Sequence, residues 1–109
     1  MSSRYLIRPM ADLDLENLAY YYAREASPEL GHRFLTAAHD TFALLATNPG
    51  IGWRLQLVYP ELEFARCFRV RRFEKVLILY LVIHNGVDIL RVAHGSRNLQ
   101  ALFRQDWLM

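Results

Sequence analysis

Cysteine occurs only once in the sequence, at Cys67. A single cysteine excludes an internal disulfide and offers no metal-ligand spacing. Within the strand expected around it, Cys67 reads as a small packed residue rather than a nucleophile. No stretch approaches the ~20 consecutive apolar residues that a membrane helix needs. The opening MSSRYLIRP also lacks the apolar core and cleavage site of a secretory signal. A cytoplasmic location is therefore expected, without a membrane partner. Repeats, low-complexity tracts and linkers are missing too. The 109 residues are accordingly read as one domain, 1–109, large enough to bury roughly two-thirds of its unfolded surface. Lysine is almost absent: Lys75 stands against twelve arginines.

The charge that is present is unevenly placed. Residues 1–63 carry five arginines against eight carboxylates, and residues 64–109 carry seven arginines and the lysine against three. Four arginines fall within Arg66 to Arg72. Arginine's planar fork suits carboxylate and phosphate recognition, so this cluster is a candidate contact region. With 53% hydrophobic residues, the chain is slightly more apolar than an average soluble domain. That surplus hints at a partner.

The stretch FARCFRVRRFEKVLILYLVIHNGVDILRVAHGSR organises the rest. It reads as three strands, Phe64 to Arg72, Val76 to Ile83 and Val87 to His94, rich in the β-branched and aromatic residues that suit a pleated surface. Asn85-Gly86 suits a two-residue turn because both positions tolerate positive φ. Phe73-Glu74-Lys75 is the expected second turn. The result is an antiparallel meander with its all-apolar strand in the centre.

Upstream, RYLIR is a first strand stopped by Pro9. Leu15, Leu18, Ala19 and Tyr22 recur at helical spacing between Ala11 and Glu25, with Asp12, Asp14 and Glu16 where the helix dipole favours anions. Ser27-Pro28-Glu29 starts a second helix, with a stripe of Leu30, Phe34, Ala37, Ala38, Thr41, Leu44 and Leu45. The helix is closed by Asn48-Pro49-Gly50. With only Ala26-Ser27 between them, the helices must fold back into a hairpin. His32 and His39 share a helix face but have no third ligand nearby. Ile51 to Glu63 reads as a long ordered connection, pinned by Trp53 and Tyr59. Asn98 would cap a last helix, Leu99 to Trp107. The order is β-α-α-β-β-β, an α+β fold with a final helix.

That order, with "IRPMADLDLENLAYYYA", "FLTAAHDTFALLATNPGIG", "ARCFRVRRFEKVLILY" and "VDILRVAHGSR", resembles the ParE/RelE superfamily of toxins from type II toxin–antitoxin pairs. Arg66, Val70, Tyr80, Arg91, His94, Gly95 and Arg97 fall where the family pattern places them. The resemblance implies a helical hairpin on one face of an antiparallel sheet. It also implies a cognate antitoxin. No cofactor or metal is expected from the residues. RelE-like members cut messenger RNA on the ribosome, whereas ParE-like members poison DNA gyrase by binding it. If the chain were a ribonuclease, His94, Arg66, Arg91 and Arg97 would be its site, with His94 moving the proton and the arginines meeting phosphorane charge. RelE-like nucleases commonly add a lysine pair and a late tyrosine; here Lys75 is alone and no tyrosine follows Tyr80. "LRVAHGSRN" looks more like the ParE branch, which is therefore favoured over RNA cleavage and over an inactive, regulatory homologue. His94 has a structural reading too, as a strand-end imidazole that orients the chain. Arg66, sharing a strand face with Phe64, Phe68 and Val70, would pair with a carboxylate such as Glu63 or Asp88. The expected partner-contact residues are Arg69, Arg71, Arg72 and Trp53, with Arg69 and Arg71 on the strand face opposite Val70.

Overall fold

Pro9 starts the first helix rather than merely stopping the strand before it. Its fixed φ and missing N–H suit the first helical turn, and α1 runs Pro9–Glu25 directly after β1, Arg4–Ile7. The computed structural model describes residues 3–54 and 63–95. The sequence expectations for Tyr59, Arg97 and the helix Leu99 to Trp107 lie outside them. Ser27 caps α2, Pro28–Thr47, by accepting a hydrogen bond from the Leu30 amide at 3.2 Å. A short 3-10 turn, Pro49–Ile51, then leads to β2, Trp53–Arg54. The remaining strands are β3, Arg66–Val70, β4, Phe73–Ile83, and β5, Gly86–His94.

The five strands lie in the order β1-β5-β4-β3-β2, and the meander β3-β4-β5 is antiparallel as expected. Two additions make the sheet mixed and wider. β1 pairs with β5 in parallel, Arg4 opposite Gly86 through Ile7 opposite Ile89. β2, within what the sequence suggested was only connection, pairs antiparallel with β3.

Both hairpin turns sit differently from expectation. Phe73, Glu74 and Lys75 belong to β4, and the turn is Arg71-Arg72, with Val70 opposite Phe73 and Arg72 at φ 73°. Phe73 is drawn into the strand by packing: its ring meets Tyr22 at 5.1 Å and Phe34 at 5.3 Å, edge to face. At the other hairpin the turn residues are His84 and Asn85, with Asn85 at φ 60°. Gly86 opens β5, because a Cβ there would run into the Arg4 backbone of the neighbouring strand.

Both helices cover one face of the sheet. Ala11 and Leu15 of α1 and Phe34, Ala38, Phe42 and Leu45 of α2 meet Val70, Val76, Ile78, Tyr80, Val87, Ile89 and Val92. Phe42 is fully buried although it lies off the expected stripe, whose Leu30, Ala37 and Leu44 are only half-buried. The stripe is displaced because α2 also packs on β1, where the Phe42 ring lies 5.6 Å from that of Tyr5. Phe34→Ala would cost about 3–5 kcal/mol, a large share of the roughly 5–15 that holds a domain folded. Cys67, Leu79, Leu90 and Ala93 are buried outside this cluster.

Candidate functional site

The arginines sort by what their guanidinium groups meet. Among the described residues Arg91 is the most enclosed arginine, with 8% of its side chain exposed. Its Nε donates to Asp14 Oδ2 at 2.7 Å and its Nη2 to Asp14 Oδ1 at 2.8 Å, a bidentate pair. Asp14 Oδ2 also accepts from the Val92 amide at 3.0 Å. The strand β1 ends opposite Ile89, so among the described residues no strand pairs with Val92 on that side. The Asp14 carboxylate takes the place of the missing carbonyl. Asp14 was expected to complement the α1 dipole; it instead fastens the helix to β5.

Arg66 was expected to meet Glu63 or Asp88, and it meets neither. Its Nη1 donates to the Gly52 carbonyl at 2.6 Å and to that of Gly50 at 3.4 Å. Asp88 is taken by Arg8, whose Nε and Nη2 reach Asp88 Oδ2 at 3.1 and 2.9 Å. Beside Arg66 in the sheet register, the Tyr80 hydroxyl donates to the Pro49 carbonyl at 2.7 Å and accepts from the Gly52 amide at 3.0 Å. Burial raises the Tyr80 phenol above its ordinary pKa, against the lowering effect of the Gly52 amide and Arg66. Only glycine fits at Gly52, where a Cβ would collide with the Tyr80 ring and the Cys67 carbonyl. Arg66 and Tyr80 thus hold the turn after α2.

His94, Arg66 and Arg91, the described residues among those proposed for RNA cleavage, are therefore not brought together. His94 lies opposite Val76, and Arg66 opposite Tyr80. Those two β4 positions are separated by roughly 13 Å at ~3.3 Å per residue. Arg91 points its charge at α1. Cys67 is fully buried, which pushes its thiol up to about 11 and keeps it protonated at neutral pH.

The expected contact residues separate into two surfaces. Trp53 is 42% exposed, and Arg69 stacks over its ring at 5.6 Å while donating to the Glu74 carbonyl at 2.7 Å. Arg54 lies 5.5 Å over the ring of Phe64. The result is a corner of arginine–aromatic pairs. Arg71 and Arg72 lie elsewhere. Arg71 does not share the Arg69 face as strand alternation implied, because it has left the strand for the turn. Its amide donates to Thr41 Oγ1 at 3.1 Å, and that hydroxyl donates to the Ala37 carbonyl at 2.7 Å.

The tethered turn and α2 enclose an open groove of about 650 Å³, lined by Leu30, Arg33, Ala37, Asp40 and Leu44 on one side and Arg71 to Phe73 on the other. Sequence reasoning found the turn arginines and missed Arg33. The signal was present as a second α2 stripe, spaced three and four residues apart, flanking the buried one. His32 also borders the groove, whereas His39 bonds the Tyr5 hydroxyl at 3.0 Å. Among the described residues no group of three or more His, Cys, Asp or Glu is placed to hold a metal, and no helix is long and apolar enough to cross a membrane.

The sequence profile of the ParE toxin of type II toxin–antitoxin systems, parDE, matches residues 5–99. A chain in the solved structure of the chromosomal ParDE TA system from P. aeruginosa is similar in fold, with a TM-score of 0.69 at 19% identity over 86% of this chain and 96% of that one. No curated protein matches in sequence.

Proposed function

Because the chain belongs to the ParE toxin family of type II toxin–antitoxin systems, we propose that it is a toxin that inhibits DNA gyrase by binding and is neutralised by a cognate antitoxin. What carries the choice of binding over RNA cleavage is where the cations of the sheet are directed. Cleavage by attack of the 2′-hydroxyl needs a positioned proton acceptor, with cations free to meet the phosphorane. Arg66 is engaged with the Gly50 and Gly52 carbonyls, and Arg91 with the Asp14 carboxylate. Releasing either would unfasten a helix or the turn after one. The arginines at the surface, Arg69, Arg71 and Arg72, suit recognition of a partner.

The test is to induce the chain alone and follow DNA damage and messenger RNA separately. DNA breaks with intact messenger RNA are expected, together with no cleavage of free or ribosome-bound RNA by purified protein. Site-specific cleavage on ribosomes that disappears with His94→Ala, a substitution worth roughly 100- to 10,000-fold in a general acid–base enzyme, would replace this reading with a RelE-like one. The antitoxin half is tested apart, by measuring affinity between this protein and the product of the adjacent reading frame. Nanomolar to micromolar binding is expected.

A further inference from the structure

We propose that the groove between α2 and the Arg71-Arg72 turn is the docking site for an acidic, aliphatic helix of the antitoxin, an inference that rests on the toxin–antitoxin reading above. The α2 wall presents Leu30, Arg33, Ala37, Asp40 and Leu44, at the alternating three and four spacing with which one helix meets another. The stripe spans about 21 Å at ~1.5 Å per residue, the length of a helix of about four turns. Small Ala37 at its centre lets a partner backbone come close, and the half-buried leucines at its ends offer aliphatic contact.

Charge selects the occupant. Arg33, Arg71 and Arg72 line one groove, and among the described residues none has a carboxylate within ion-pair distance. Asp40 is the single acid in the lining. Three cations left together repel one another until carboxylates arrive. Arg72 adds a second observation. It holds the left-handed conformation at φ 73°, where glycine or asparagine would sit with less strain. An arginine is placed there at a cost in stability, at the lip of a groove that its charge can serve. Nucleic acid fits less well than a peptide. The phenyl ring in the lining, Phe73, is engaged in packing against Tyr22 and Phe34, with centroids at 5.1 and 5.3 Å, rather than standing clear as a platform for a base.

The experiment titrates the full chain with the purified product of the adjacent reading frame, by calorimetry at several salt concentrations. Arg33→Glu with Arg72→Glu is expected to weaken binding on the order of 100-fold and to flatten its salt dependence, since like charges then face each other. Both sites are exposed, and an unchanged circular dichroism spectrum verifies the fold. Arg72→Gly separates contact from stability: it is expected to raise the thermal midpoint while still weakening binding. Wild-type affinity in the double variant would overturn the groove and leave the toxin reading standing. Absence of binding by the wild-type chain would overturn both. Tight binding of single-stranded oligonucleotides, lost in the same variant, would overturn the peptide assignment.

Discussion

Arg91 and Arg72 are the same side chain in opposite circumstances. Arg91 is held inside the molecule by two bonds to Asp14, whose carboxylate also completes the backbone of β5. Arg72 is exposed, on a backbone that disfavours it, beside Arg33 and Arg71, and among the described residues none of the three has a carboxylate within ion-pair distance. The β5 region uses arginine as a fastener, so its loss should be felt as stability. At the β3–β4 turn the charge is left unsatisfied, so its loss should be felt as affinity. The difference is one of desolvation: a buried ion is stable only while its counterion stays, whereas a solvated one contributes little until a partner removes the water.

The sharpest way to break this comparison is Asp14→Ala. It would leave Arg91 enclosed without its carboxylate and the Val92 amide without an acceptor, at an expected cost of about 3–5 kcal/mol. Urea denaturation measures it, and a loss under about 1 kcal/mol would show that the pair is no fastener. The enclosed regions can be probed next by alkali. Burial raises the Cys67 thiol from 9.0 to about 11, and the Tyr22 and Tyr80 phenols also move upward through burial. The unfolded chain loses the thiol proton near pH 9 while the folded chain holds it until about 11. Unfolding therefore releases a proton in that window, and stability falls as pH rises, by up to about 2–3 kcal/mol from the thiol. Urea midpoints between pH 8 and 11 should show this fall, with Cys67→Ala flattening it.

Smaller effects sharpen the turn side. Thr41→Val removes the hydroxyl that accepts from the Arg71 amide and should cost about 1 kcal/mol. Antitoxin affinity should fall with it as the groove wall loosens. Arg71→Ala should shift stability by no more than about 0.5 kcal/mol in a thermal melt. A larger shift would place Arg71 among the fasteners.

Much of this arrangement was legible in the residues, and the reasons for the gaps are physical. Ser27-Pro28 announced α2 because capping is a local interaction between neighbours, and Asn85 marked its hairpin because few residues tolerate positive φ. The Arg71-Arg72 turn was obscured because its left-handed position carries arginine, and only Phe73's contacts with two helices explain where β4 begins. Parallel pairing of β1 with β5 is set by the whole path of the chain. Arg66 looked like a ligand-facing cation or one half of an ion pair, since no local pattern reports that a side chain will bond backbone carbonyls of a turn. Asp14 was hidden for the same reason: its partners lie 77 and 78 residues away.

The parallel pairing of β1 with β5 also governs when the protein can exist as a folded object. Arg4 lies opposite Gly86, so the first strand has no partner until nearly the whole described sheet has been synthesised. At roughly 5–20 residues per second that interval is on the order of ten seconds. The helical hairpin, built from local contacts, can form during the wait, whereas the sheet cannot close. Nascent chains stalled before Gly86 should be cut readily by protease, and chains released at full length should resist it.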